Sequence, residues 1–381
     1  MPGFIRKTEG IMSKVCTRIC SARYEDLRPK VFEMLESMDR GMIREGTRVL
    51  LKPNLLAPAP PEKAMLTHPA VVKAVVQYVL HKGGKVSISD SPAMGSLRKV
   101  VRESGIEAAL EGLDVEFKEF KSSILVDVGE PFHRIEIAEE AMKADVLINL
   151  PKLKTHSQML LTLGVKNLFG CVVGFRKPQW HLRVGVDREM FGVLLYRIYA
   201  ALKPSITILD GVLAMEGQGP GKGGSPREVG VVMGSRDAVA LDMTVCRMLG
   251  IEAERLFTNR AARKAGHMAE PIEVVGELPS IPDFVLPQIT PLVFGPKGAR
   301  KHLRKYLIQR PVPKESICKL CGDCWRYCPA EAISHENKKL RFDYDKCIRC
   351  YCCLEVCPHG ALKAEEPPLG KLFNRFIKIT S

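Results

Sequence analysis

ICKLCGDCWRYCPAEAI and KCIRCYCCLEVCPHGAL, near the end of the chain, each contain the spacing C-x2-C-x2-C-x3-C-P. The residues are Cys318, Cys321, Cys324 and Cys328 before Pro329, then Cys347, Cys350, Cys353 and Cys357 before Pro358. Three cysteines at this spacing wrap one cuboidal iron–sulfur cluster, and the fourth, beyond a turn, reaches the other cluster. The expected sets are Cys318, Cys321 and Cys324 with Cys357, and Cys347, Cys350 and Cys353 with Cys328, giving two [4Fe–4S] clusters. A zinc site is the alternative, but zinc closes on four ligands and has no need of a duplicated pattern. Cys352 lies outside the motif, and the spacing favours Cys353 as the ligand. Cys318 to Cys347 and Cys328 to Cys357 are each 29 positions apart, so the segment is an internal repeat. Trp325 and Tyr327 can shield a cluster from water without any catalytic role. Cys16, Cys20, Cys171 and Cys246 are scattered and read as small buried residues.

A second group of reactive side chains lies in LPKLKTHSQMLLTLGVKNLFG, residues 150–170. Lys152, Lys154 and His156 follow an apolar run, and Lys166 and Asn167 return after another. Lysines converging in a partly desolvated cleft bind carboxylate or phosphate. His156 is a candidate proton donor because an ordinary imidazole changes charge near neutrality. The bland alternative is a solvated loop. Gly219 and Gly221 fall in a glycine-rich loop that could close over a ligand. The formal G-x-G-x-x-G there is followed by Pro226 and a strand-like stretch, not a helix, so it is not a dinucleotide fingerprint. Glu216 and Gly223 also break a Walker A match.

These residues need elements to position them. TRVLLKPN (47–54), GKVSISDSP (84–92), ADVLINLPK (144–152) and SITILDG (205–211) read as buried strands. THPAVVKAVVQYVLHKGG (67–84) has helical apolar spacing, and 229–250 reads as strand, turn and helix with Asp237 near the helix start. Strands alternating with helices predict an α/β domain with a mostly parallel sheet and flanking helices, and a small α+β dicluster ferredoxin-like domain after it. Ligands of open α/β sheets sit at the carboxyl ends of strands. Lys52, Asn54, Asp90, Ser91, Lys152, Lys154 and Asp210 stand at those ends. The expected organisation is an α/β domain over 1–275 (core about 45–260), a proline-rich basic linker over 276–312, a cluster domain over 313–366 and a basic tail over 367–381.

The 381 residues carry a formal net charge of +14, with 46% hydrophobic and 6% aromatic residues. No dense Lys/Arg block occurs and aromatic stacking platforms are scarce, so nucleic acid is not the expected partner. No apolar run is long enough to span a membrane, and MPGFIRKTEGIMSK lacks an apolar export region. Clustered cysteines without an export signal suit a reducing compartment, and the expected localisation is cytoplasmic.

KPNLL (52–56), THP (67–69), SDSP (89–92), NLPKLKTHSQMLLTLGVKNLFG (149–170), DGVLAMEGQGPGKGG (210–224) and DAVALD (237–242) resemble, in order, the "domain of unknown function 362" family. The cysteine segment resembles a bacterial-type two-cluster ferredoxin. The resemblances imply an α/β iron–sulfur protein and one-electron transfer at low potential, with no assured reaction. The leading expectation is an oxidoreductase that delivers electrons to an anionic small molecule. Lys52, Lys152, Lys154 and Lys166 would hold the anion, with His156, Lys154 and Lys166 as the catalytic candidates, Asn54 and Asn167 hydrogen-bonding, and Gly219 and Gly221 in the covering loop. Asp90, Asp210 and Asp242 would position these groups or hold a divalent metal. No flavin signature is visible. The alternatives are an electron carrier or assembly factor whose α/β domain docks a redox partner protein, and a cluster-based sensor that binds nucleic acid.

Overall fold

The computed structural model describes residues 12–174, 176–267, 269, 271–287 and 306–371. The basic stretch near 298–305 and residues 372–381 of the basic tail lie outside them. The large sheet contains β1 (Ser13–Ile19), β2 (Arg48–Pro53), β3 (Lys85–Ile88), β4 (Val115–Phe117), β7 (Val146–Leu150), β8 (Lys152–His156), β9 (Leu160–Thr162), β10 (Ile206–Gly217), β11 (Gly224–Ser235) and β12 (Ile272–Val275). Between β4 and β7, β5 (Ser123–Gly129) and β6 (His133–Ala138) form a separate hairpin. The main order is β12-β1-β11-β10-β7-β2-β3-β4. β10, β7, β2, β3 and β4 run parallel, while β11 is antiparallel to both β10 and β1.

The strands read as apolar runs because both faces are covered. Val49 and Leu51 of β2, Val146 and Ile148 of β7 and Val232 of β11 join one core. Their neighbours Leu50, Leu147, Val231 and Met233 join the other, as alternation across a pleat requires. The helices Tyr24–Asp39 and Pro69–His81 fill the first side, and Arg188–Leu202 and Ala238–Met248 the second. Pro69 opens its helix at a position where a missing N–H costs nothing. Asp237 caps the helix Ala238–Met248, accepting from Val239 N at 2.9 Å.

The main departure from the sequence reading is β8. Lys152–His156, expected as a strand exit, is itself a strand with all five residues buried. It forms because β10 is 12 residues long. β10 pairs with β7 through Ile206 and Thr207 and then offers the same edge to β8, opposite Asp210 and Met215.

In the cysteine-rich end, β13 (Arg310–Pro313) pairs with β16 (Leu362–Glu365), and β14 (Ile333–Glu336) with β15 (Lys339–Phe342). Short helices Asp323–Arg326 and Cys352–Val356 follow the second cysteine of each motif. Before it, residues 281–287 lie against the α/β domain, with Phe284 5% exposed and Ile281 N donating to Met248 O at 2.8 Å. Among the described residues no helix is long and apolar enough to cross a membrane.

Candidate functional site

A cleft opens where β2, β3 and β8 end, lined by Lys52, Asn54, Asp90, Lys154, His156 and Lys166, among others. Lys177 and His181 of the helix Arg176–Val184 close one side. The opposite wall comes from the cysteine-rich end: Tyr327, Cys352, Glu355 and Val356.

Each charge in the cleft has a distinct setting. Lys52 Nζ lies 2.9 Å from Asp90 Oδ2, and Asp90 also takes Leu55 N at 2.9 Å and Ser91 N at 2.8 Å. That pair is buried, hydrogen-bonded and internally neutral. Lys154 Nζ donates to Asn54 Oδ1 at 2.8 Å and Met65 O at 2.7 Å, both neutral acceptors. Burial, with Lys166 and Lys152 nearby, lowers its ammonium to about 7 against the pull of Glu355. Lys177 donates to Ser91 O, and burial lowers it to about 8. Burial lowers Lys166 as well, with Glu355 opposing.

The histidines are neutral. His156 Nδ1 accepts from Gln158 N at 3.1 Å and Met159 N at 3.3 Å, which leaves the ring proton on Nε2. That atom lies 3.1 Å from Glu355 Oε1, without the alignment of a hydrogen bond. Burial and Lys166 hold His156 down to about 4, and burial takes His181 to about 3. The expectation that His156 changes charge near neutrality is therefore corrected. Burial alone would raise Glu355, but His156, Lys166 and His181 bring it down to about 2.

The structure gathers Lys52, Asn54, Lys154, His156, Lys166 and Asn167 around the cleft. Asn54 and Asn167 bind each other at 2.8 Å, and Asn167 also spans to Asn149 Oδ1 at 2.8 Å and Lys52 O at 3.1 Å. They orient the lysines. Lys152 stands apart, its Nζ 2.6 Å from Asp210 Oδ2 in a fully buried pair. Asp210 also receives His68 N at 2.6 Å, and Asp242 receives Gly164 N at 2.7 Å and Val165 N at 3.1 Å. Asp90, Asp210 and Asp242 thus serve different partners. Among the described residues no three His, Cys, Asp or Glu side chains close on a single metal ion.

The glycine loop packs protein, not ligand. A Cβ on Gly219 would stand 2.4 Å from Thr155 O, and one on Gly221 3.3 Å from Leu354 O. Gly221 therefore admits the helix Cys352–Val356, and Lys222 donates to Pro358 O. Only Pro220 of this loop reaches the cleft.

Sequence reasoning missed Lys177, His181 and Glu355. Glu355 left a trace, as the lone charge between Cys353 and Cys357. Lys177 and His181 left only their one-turn separation in RKPQWH.

The cysteines divide between two cavities. Cys318, Cys321, Cys324 and Cys357 line one. Cys328, Cys347, Cys350 and Cys353 line another, with Cys352. Backbone N–H groups already point at two sulfurs, Ala332 N to Cys328 Sγ at 3.3 Å and Ala361 N to Cys357 Sγ at 3.2 Å. Two residues after Cys347, Arg349 is buried against the Tyr344 ring, with Nε and Nη2 lacking a hydrogen bond. Paired sets of thiols, sulfur-directed N–H groups and an orphaned cation suit anionic thiolate-bound clusters. Cys321 is exposed, whereas Cys350, Cys352 and Cys353 are buried. Cys352 lines both the second cysteine cavity and the lysine cleft.

Comparison with known proteins agrees. A family model described as a domain of unknown function (DUF362) matches residues 49–247, and a 4Fe-4S dicluster domain matches residues 310–358. A thylakoid-associated protein of Synechocystis sp. is 40% identical over 278 residues, covering 70% of this chain and 85% of that protein. Pyruvate synthase subunit PorD of Thermotoga maritima is 39% identical over 57 residues, 15% of this chain and 58% of the subunit. A ferredoxin of Pyrobaculum islandicum is 41% identical over 66 residues, 17% of this chain and 60% of the ferredoxin. The cysteine-rich end is an iron–sulfur electron-transfer domain.

Proposed function

The chain belongs to the DUF362 family, and from that premise we propose that it is an oxidoreductase delivering electrons to an anionic small molecule in the lysine cleft. Two [4Fe–4S] clusters are held, an outer one by Cys318, Cys321, Cys324 and Cys357 and an inner one by Cys328, Cys347, Cys350 and Cys353. Bound there, such clusters supply one-electron transfer at low potential. The observation that carries the reading is the shared wall: Cys352 borders both the inner cysteine cavity and the cleft.

The cleft's own groups select the ligand. Four lysines, Lys52, Lys154, Lys166 and Lys177, stand against two carboxylates, Asp90 and Glu355. With both histidines neutral, full protonation of the four lysines leaves two positive charges uncompensated, which suits a dianion. Lysines act as point charges towards carboxylate or phosphate. Leu55, Phe169, Pro178 and Val356 add apolar wall for the body of the molecule. Lys154, near 7, is the proton donor in place of His156, because a general acid works best close to the operating pH. Each electron comes from a one-electron redox partner protein, which is oxidised as the anion is reduced, and Lys154 supplies the accompanying proton. The cytoplasm, a reducing compartment, is the expected setting.

The test is anaerobic purification of the full chain, with iron and sulfide analysis and mass spectrometry of what the cleft retains. About eight iron and eight sulfide per chain are expected, together with a co-purifying anion that reoxidises dithionite-reduced protein. Full cluster content with reoxidation by partner proteins alone would make the chain an electron carrier and sink the enzymatic reading.

A further inference from the structure

The two cysteine motifs act as controls for each other. Between their first two cysteines stand Lys319 and Leu320 in the outer motif, and Ile348 and Arg349 in the inner one. Leu320 and Arg349 share a left-handed backbone, with φ of 49° and 58°. The turn is conserved within the repeat, and the side chain is what differs.

Arg349 is only 4% exposed. Its Nη1 donates to Cys347 O at 3.3 Å, and its guanidinium carbon lies 5.2 Å from the Tyr344 ring centroid. Nε and Nη2 are buried without a hydrogen bond, and among the described residues no carboxylate meets the group. A buried guanidinium without an anion is strongly destabilising. The anion at hand is the thiolate-bound cluster of Cys328, Cys347, Cys350 and Cys353, which carries about −2 when oxidised and one more negative charge when reduced.

We propose that Arg349 is a positioning residue that keeps the inner cluster reducible despite its burial, by fixing a positive charge beside Cys347. Burial opposes reduction at the inner site, because added charge is disfavoured away from water. Cys350 and Cys353 are each 7% exposed. A fixed neighbouring cation works the other way. The outer site is dressed differently: Lys319, the cation that lines it, is exposed to solvent. Cys321 is exposed, and Asp323, at the position Cys352 occupies in the inner motif, lies 3.7 Å from Cys321 Sγ. The outer arginine, Arg326, is 66% exposed and 3.7 Å from Asp323, so solvent screens it. Glu355, the carboxylate next to the inner motif, already faces His156.

The inference rests on the two-cluster reading, which iron and sulfide content tests separately. Full-length, cluster-loaded protein is titrated anaerobically and followed by electron paramagnetic resonance. Asp323→Asn identifies the outer signal by raising its potential. Arg349→Leu copies the outer motif. It is expected to lower the inner midpoint by at least a tenfold change in the reduction equilibrium, about 59 mV for one electron, and to leave the outer one in place. Arg349→Gln keeps a donor for Cys347 O without the charge and carries the same expectation should the leucine variant load iron poorly. Arg349→Lys should restore most of the wild-type value. An inner midpoint unmoved by either neutral variant, or both midpoints moving together, overturns the proposal.

Discussion

Lys154 is a buried ammonium held by two neutral oxygens, with its third proton left for the cleft. Its folded value of about 7 lies below the ordinary lysine value. Between the two, the unfolded chain binds more protons, so this group makes the anion-free protein more stable as pH rises through that window. Anion binding requires the charged form and runs the other way. We expect sulfate, whose charge is fixed over this range, to bind more weakly as pH passes about 7 and then about 8, where Lys177 discharges. The fall should approach tenfold per unit for each lysine lost. Lys154→Met should cost about 1.5–3 kcal/mol of sulfate affinity and flatten the first part of that profile. Titration calorimetry across a pH series checks both, and an affinity indifferent to pH in the wild type would place the anion elsewhere.

At the level of elements, the groups that look reactive in sequence divide into those that face the cleft and those that hold the frame. Asp242 belongs to the frame, taking two N–H groups at the start of the helix Gly164–Asn167. Burial pushes its carboxyl up to about 8 despite those bonds. A carboxyl raised above its unfolded value stabilises fully below that value, and the stabilisation is lost as pH rises through the folded value. From about pH 4 to about 8 the wild type should therefore lose stability relative to Asp242→Asn, which keeps an uncharged group there. Thermal unfolding in matched buffers measures the difference, and parallel profiles would count against a protonated Asp242. Gly219→Ala would drive a Cβ to 2.4 Å from Thr155 O. Overpacking of this kind costs about 1–3 kcal/mol, readable by denaturant unfolding.

The expected grouping of the cysteines matches the two cavities they line, because three thiols of each motif are brought together by local spacing. The strands β2, β7 and β10 were legible because burial on both faces leaves unbroken apolar runs. The depth of Lys152 and Lys154 was not, since it depends on β10 extending past β7 to receive a second strand. Nor could spacing distinguish Lys152, paired with Asp210, from Lys154, which faces the cleft. Lys177, His181 and Glu355 arrive from distant segments, and only tertiary packing brings them together.

At the scale of the molecule, the cleft is complete only while the cysteine-rich end keeps its fold. That end has a small core of its own, with Cys324, Cys353 and Leu362 as its buried members. Two of those three are proposed ligands of different clusters, so bound clusters would take the place of an apolar interior. So short a segment cannot bury enough surface to stand without such a staple. The α/β domain, by contrast, has two extensive cores, one on each face of its sheet. Oxidative removal of iron under chelation should then unfold the region from about Arg310 onwards and leave the large sheet intact. The helix Cys352–Val356 leaves the cleft with it, taking away Glu355 and opening the lysines to water. Water screens what burial had concentrated, so sulfate affinity should fall at least tenfold in the iron-free protein. Limited proteolysis with mass spectrometry should trim the C-terminal region back to the α/β domain, while calorimetry on the same sample reports the lost binding. A C-terminal region that resists protease after its iron has gone would show that packing against the Gly221 loop, and not the clusters, holds the wall in place.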